Sequence, residues 1–387
     1  MIRKSLPSGF DPMGGIRFSE KIVLKQKARA ECRSNHDSPR STVTPTKIAE
    51  RAYPTNYSFP LEARERDCQR SLPLKRGWWG CSFRADPWRL QYFTHVKTDV
   101  DITTEDSDAW QWYPAHRWVY DKLAIAQSQG IEAGPHGTKP PRFPIFSKPI
   151  VNLKGMGIGS RVLRSQADYE AHAAPGHFWM RLLEGRHVSS DLAVVDGEPR
   201  WWRHVTGKPA GGGTFDYWTI HAEPEPEIEA RCGAWVRKHL AGYTGMLNLE
   251  TIGGTIIEVH LRFADQWPDL YGPGWVDAVV RLYETGIWDF ADSDRRGGYS
   301  VVLFGPNGVR YCHPPSTFIE AIKREPGISS VQVTFHEDIA PELHAMPPGG
   351  FRLAVVNGFD LAAALSARAR LKGHFLTRQS APLALQG

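Results

Sequence analysis

Five polar residues alternate along one short stretch: Asn248 and Glu250, then Glu258, His260 and Arg262. They flank Gly253-Gly254, so GYTGMLNLETIGGTIIEVHLRF reads as a hairpin. A regular two-residue loop would give cross-strand partners opposite parity and send Glu250 and Glu258 to opposite faces. A three-residue loop, or a bulge, instead puts Asn248, Glu250, Glu258, His260 and Arg262 on one face. Leu247, Leu249, Ile257, Val259 and Leu261 then share the other. A one-residue slip inverts burial, so the register that segregates apolar from charged side chains is the expected one. Two carboxylates on one face repel unless a cation lies between them. A hard divalent ion with oxygen ligands suits them, and Mg²⁺ commonly shares such ligands with phosphates. For either glutamate alone, a solvated face paired with Arg262 is the plainer reading; the whole polar face together favours a metal.

Upstream, FPIFSKP (143–149) reads as a strand that delivers Lys148, and GMGIGS carries Gly155, Gly157 and Gly159 at alternate positions. The spacing is neither GxGxxG nor GxxxxGK[ST]. Alternating glycines let backbone N–H groups approach phosphate oxygens, although a flexible hairpin uses glycine too. Lys148 alone is an ordinary edge-strand lysine. A strand lysine, a glycine loop and a carboxylate face together supply a cation, phosphate donors and metal ligands. Those are the parts that positioned phosphoryl transfer requires.

The elements that must hold these residues follow from periodicity. A helix is expected from about Pro114 to Gln129, with an apolar stripe at Trp118, Leu123 and Ile125. Ser165 is the expected N-cap of SQADYEAH. Residues 177–183 read as a strand, and 187–207 as two strands joined at Asp196-Gly197. Residues 226–240 and WVDAVVRLYETG read as helices. Beyond residue 291 the pattern is strand YSVVLF, helix STFIEAIKRE, strand SSVQVTF, strand FRLAVV and helix DLAAALSARARL. Strands and helices mix without strict alternation, which points to an α+β fold rather than one doubly wound sheet.

Composition narrows the classes. The net charge of +5 is concentrated at the start: residues 1–80 carry 16 Lys/Arg against 8 Asp/Glu, so the remainder is net negative. Residues 1–84 hold Pro, Ser, Arg and Lys without sustained periodicity and read as a basic, disordered segment. No aromatic–basic module accompanies that charge, so no nucleic-acid partner is expected. The five cysteines lack any CxxC pair, which argues against zinc and disulfides and suits a cytoplasmic protein. No apolar run approaches membrane-spanning length, so no membrane partner is expected. The tryptophan-rich HFW, RWVYDK and WWRH read as core and rim packing.

The order of motifs from about residue 114 to 290 resembles the ATP-grasp superfamily, most closely its biotin carboxylase-like carboxylate ligases. Asp121-Lys122 looks like the family's first ATP-binding lysine, and FPIFSKP like the second, at Lys148. GMGIGSR is similar to the mobile loop over the phosphates. WMRLLEGRHVSSDLAVVDGEPRW resembles the hinge and its following strand. NLETIGGTIIEVHLR resembles the metal hairpin. The resemblance implies two α+β lobes, 143–183 and 184–290, gripping ATP. An additional C-terminal α+β subdomain would cover 291–378, a reduced N-terminal region 85–142 and a tail 379–387.

By the same resemblance, Lys122, Lys148, Gly155, Gly157 and Gly159 would contact phosphates. Met180, Leu182, Leu183 and His187 would contact the nucleoside. Glu250, Glu258 and His260 would hold Mg²⁺ and Arg262 a phosphate, with Lys148 and Arg262 acting in catalysis. The family has asparagine where this chain has His260; imidazole suits Mn²⁺ better than Mg²⁺. Residues 1–113 do not read as the family's full N-terminal α/β domain.

The activity implied is ATP-dependent, ADP-forming ligation, in which a small-molecule carboxylate becomes an acylphosphate for attack by an amine or thiol. A kinase-like phosphotransferase and a non-catalytic ATP-binding scaffold are the alternatives. Oligomeric state is left open. Asp265, Gln266 and Arg161 could contact substrate or serve as turn caps and solvated charge, and parity does not settle whether Asp191 faces the site.

Overall fold

The computed structural model describes residues 86–378, apart from 99, 154 and 376. The expectations for residues 1–84 and 379–387 lie outside the described residues. The N-terminal part is short helix and coil: α1 (Pro87–Leu90), α2 (Asp106–Trp112) and α3 (Lys122–Ser128). The helix expected over 114–129 is interrupted. Arg117–Tyr120 is a 3₁₀ turn, and Asp121 leaves helical geometry at ψ 97°. Its side chain accepts from Ala124 N at 2.9 Å, so Asp121 caps a new helix. Trp118 and Ile125 consequently pack in one core and Leu123 against another.

Four antiparallel strands make the smaller sheet: β1 (Ala133–Pro135), β2 (Ile145–Pro149), β3 (Arg161–Leu163) and β4 (His177–Arg181), in the order β1-β4-β2-β3. Helix α4 (Gln166–His172) starts at Ser165, whose hydroxyl accepts from Asp168 N. Its Tyr169 packs with Ile145, Leu163 and Trp179 on one face of the sheet. Strand alternation sends Phe146 and Lys148 to the other face, opposite Met180 and Phe178.

The remaining strands are β5 (His187–Val195), β6 (Glu198–Gly211), β7 (Thr214–Ile220), β8 (Gly245–Ile252), β9 (Thr255–His260), β10 (Gly298–Gly305), β11 (Arg310–Tyr311), β12 (Ile328–Val333), β13 (Phe351–Gly358) and β14 (Thr377–Arg378). β11 pairs with β14. The other eight form one sheet in the order β12-β13-β10-β7-β6-β5-β8-β9. Three of the strands after residue 291, β10, β12 and β13, therefore extend the sheet that carries the hairpin, while β11 and β14 pair only with each other.

Helix α5 (Pro226–His239) covers one face over the hairpin, where Cys232 and Val236 meet Leu247, Leu249, Val259 and Leu261. Truncating any of these fully buried leucines to alanine would cost about 3 kcal/mol. Helix α6 (Trp275–Thr285) packs with Trp201, Trp218, Trp267 and Phe263 in a second core. Helices α7 (Ser316–Lys323) and α8 (Leu361–Lys372) cover the C-terminal strands. No helix among the described residues is long and apolar enough to cross a membrane.

Candidate functional site

The hairpin has a bulge. Asn248 pairs with His260 and Glu250 with Glu258, but Thr251 pairs with Ile256, leaving Ile257 as the extra residue. The turn itself is the two-residue Gly253-Gly254, both at positive φ. A tight turn and a bulge together restore parity, so Glu250 and Glu258 are cross-strand neighbours on one face. Bulging also releases the Ile257 carbonyl from the ladder. Lys148 Nζ, reaching over from β2, donates to it at 2.9 Å.

Two ammonium groups converge on Glu258. Lys122, the first residue of α3, lies 2.7 Å from Oε1 and Lys148 lies 3.7 Å from the same oxygen. Burial would push the Glu258 carboxyl up, but Lys122, Lys148 and His260 outweigh it and hold the group at about 2. Burial pulls the Lys148 ammonium down to about 8, against the attraction of Glu258. Glu250 is tied to His187, with Nε2 3.2 Å from Oε2. Burial opposes charge on both partners, yet their contact raises the imidazole and lowers the carboxyl.

Asp106, on α2, is the residue that sequence reasoning missed. It is buried, with Oδ1 2.9 Å from Arg262 Nε, and its Oδ2 accepts from Arg262 Nη2 at 3.0 Å. His260 Nδ1 lies 3.0 Å from Oδ2, and a carboxylate only accepts, so that nitrogen carries the hydrogen. His260 Nε2 is thereby left toward Glu258, 3.7 Å from Oε2. Tyr120 Oη donates to Asp106 as well, and accepts from Leu261 N. Despite burial, Arg262 and His260 hold the Asp106 carboxyl well below its usual range. Nothing local marks this aspartate: it sits in EDSDAWQW, 154 positions before His260.

Asp191 is also buried and points inward as an anchor. It accepts from Asn248 Nδ2, Ala264 N and Tyr271 Oη at 2.7–3.1 Å. It thus pins the chain just after Arg262. Asp265 accepts from Arg89 Nε at 2.6 Å, and the Gln266 carbonyl accepts from Gln332 and Asn357. Arg161 lies on β3, half-buried.

In the glycine loop Gly155, Met156, Gly157 and Gly159 all have positive φ. A Cβ at Gly155 or Gly157 would meet nothing within 4 Å, so backbone conformation alone requires glycine there. Met180 is buried at the end of β4, with Leu183 packed in the same cluster. The segment that follows rests on the hairpin turn. Gly253 N donates to Arg186 O, and a Cβ on Gly253 would lie 2.5 Å from Glu184 O.

No family model and no curated protein sequence matches this chain. Its fold does find solved counterparts. The L-amino acid ligase from Bacillus licheniformis superposes with a TM-score of 0.53 at 12% identity, covering 76% of this chain and 84% of the ligase. The chain has the ATP-grasp fold. Two further ATP-grasp structures are similar at lower scores. The biotin carboxylase domain of 2-oxoglutarate carboxylase from Hydrogenobacter thermophilus gives TM-score 0.49 at 14% identity, with 69% and 68% coverage. Phosphoribosylamine–glycine ligase from Thermotoga maritima gives 0.47 at 16%, with 68% and 78%. In this fold the smaller sheet carries Lys148 and Met180 and is followed by the glycine loop after β2, and the larger sheet carries His187, Glu250, Glu258 and His260, with Arg262 just beyond β9.

The side chains present suit a hard cation in part. Glu250 and Glu258 offer adjacent carboxylate oxygens on one face. Among the described residues no group of three or more His, Cys, Asp or Glu is arranged to hold a metal by itself. A Mg²⁺ ion, which retains waters and takes ligands from substrate phosphates, does not need such a cage.

Proposed function

We propose that the chain is an ATP-dependent ligase that activates a small-molecule carboxylate as an acylphosphate, releasing ADP, for attack by an amine or thiol. The observation that carries this reading is the convergence of Lys122 and Lys148 on Glu258, the cross-strand neighbour of Glu250. Two buried ammonium groups beside two half-buried carboxylates form a site of nearly balanced charge. Triphosphate oxygens can take over the lysines, which frees the carboxylates for a divalent cation. Glu250 and Glu258 would hold that cation, and it would supply charge neutralisation to the phosphates.

The chain's own residues do the rest. Lys122 and Lys148 bind phosphate, and Gly155, Gly157 and Gly159 allow the loop's N–H groups to approach it. Met180, Leu182 and Leu183 receive the base, with His187 beside the ribose. Arg262, aimed by Asp106, meets the transferring phosphoryl or the acceptor carboxylate. His260, with its Nδ1 hydrogen committed to Asp106, presents Nε2 beside Glu258 as a phosphate or cation contact. The ligases among the structural counterparts are consistent with this reaction class.

The test is ATP binding in the presence of Mg²⁺ by calorimetry, followed by ADP release with a panel of carboxylic acids and hydroxylamine trapping. Loss of binding in Lys148→Ala and Glu258→Gln, with hydroxamate formed from one acid, is the expected result. ATP binding that neither variant changes would overturn the site. ADP release without any trappable acyl group would instead favour transfer to a hydroxyl.

A further inference from the structure

A second cleft, of about 620 Å³, lies between α5, the C-terminal end of α3, the β8–β9 turn and the end of β4. Its volume falls in the range of small-molecule sites. Arg231, Trp235 and Lys238 recur on α5 at a spacing that places them on one helical face. Trp235 is buried and donates from Nε1 to Ser128 Oγ at 2.9 Å, which fixes that face against α3. The Arg231 guanidinium lies over the hairpin turn, with Nη1 3.3 Å from where a Gly254 Cβ would be. Arg142 and Arg181, from the smaller lobe, line it too.

The charge of this cleft is lopsided. Its one carboxylate, Glu132, is already paired with Arg142 at 3.0 Å. Arg181, Arg231 and Lys238 have no ion-pair partner among the described residues. By contrast Arg237, on another face of α5, pairs with Glu198 at 2.8 Å. Three unmatched cations from two different lobes thus face one concavity. Like charges held together are unfavourable unless an anion joins them. None of Lys122, Lys148, Met180, His187, Glu250 and Glu258 lines this cleft, so it is separate from the nucleotide site.

We propose that this cleft is a second anion site, taking a small molecule with at least two phosphate groups. Arg231 and Lys238 bind it from α5, and Arg181 binds it from the end of β4. Arginine forks and a lysine from two lobes suit separate phosphate groups better than a single monovalent anion. Because Arg181 follows Met180 directly, a ligand here clamps the small sheet to α5 behind the segment joining the lobes. The inference does not depend on the reaction catalysed.

The test is calorimetric titration of the full chain with inorganic pyrophosphate at low ionic strength, comparing wild type with Arg231→Glu and Arg237→Glu. Both residues are exposed, so both variants keep the fold. The expected result is binding that weakens about tenfold or more in Arg231→Glu and changes by less than about twofold in Arg237→Glu. Absence of pyrophosphate binding to the wild type, or equal weakening in the two variants, would overturn the site. So would binding that Arg231→Glu leaves unchanged, since pyrophosphate would then occupy the Lys122–Lys148 site alone.

Discussion

Asp106 grips Arg262 with both carboxylate oxygens, Oδ1 at 2.9 Å from Nε and Oδ2 at 3.0 Å from Nη2. The pair joins a helix near the start of the described chain to a residue just past the carboxylate-bearing strand. It also orients His260, whose Nδ1 hydrogen points at the same carboxylate. Asp106→Asn should therefore unseat both side chains. Leaving half-buried Arg262 without its counter-charge is expected to cost about 2 kcal/mol. Urea unfolding measures it, and a loss below about 0.5 kcal/mol would show that the pair is not a structural anchor.

Glu258 neutralises two lysines at once. Replacing it with glutamine leaves Lys122 and Lys148 facing each other without a carboxylate. Stability should fall by about 3 kcal/mol. The double variant Lys122→Met/Glu258→Gln should recover part of that loss. If the double variant is as unstable as the sum of the single changes, the two residues are not coupled.

Two glycines at positive φ separate backbone conformation from close approach. Gly242 has φ +77° and nothing within 4 Å of an added Cβ, whereas at Gly253 a Cβ would meet Glu184 O at 2.5 Å. Gly242→Ala should cost about 1 kcal/mol, from the left-handed backbone alone. Gly253→Ala should cost distinctly more, because a carbonyl cannot move aside as a flexible side chain can. Equal costs in thermal unfolding would remove the claim that the hairpin turn is packed against the segment after β4.

Burial raises the Asp191 carboxyl to about 6 from an ordinary 3.8. In that window the folded chain binds a proton that the unfolded chain does not, so stability falls as pH rises through it. The contribution is about 3 kcal/mol, present at the acid end and lost above pH 6. Asp191→Asn cannot titrate. The stability of the wild type relative to that variant should therefore grow as pH is lowered from 7.5 toward 5, on the order of 1 kcal/mol. A difference independent of pH across that range is the contrary outcome.

Much of the fold was legible because its signals are local. The segregation of Leu247, Leu249, Val259 and Leu261 from Asn248, Glu250, Glu258 and His260 determined the hairpin register, since only a parity correction buries one set alone. The structure supplies that correction as a bulge at Ile257. Ser165 was readable as a cap because its acceptor serves an N–H three residues away. The break at Asp121 was masked by continuous apolar periodicity on both sides; only packing against two different cores reveals it.

The sequence by itself determined the α+β class, the strand that carries Lys148 and the shared face of Glu250 and Glu258. Each depends on side-chain alternation or on contacts between near neighbours, which a period of two or a turn dictates. Tertiary structure alone decided that Lys122 and Lys148 meet at Glu258, that β10, β12 and β13 join the hairpin's sheet, and that Asp106 orients His260 and Arg262. These contacts close loops of roughly one hundred residues or more, and the entropy of such closure grows so slowly with length that no local pattern records which partner is chosen.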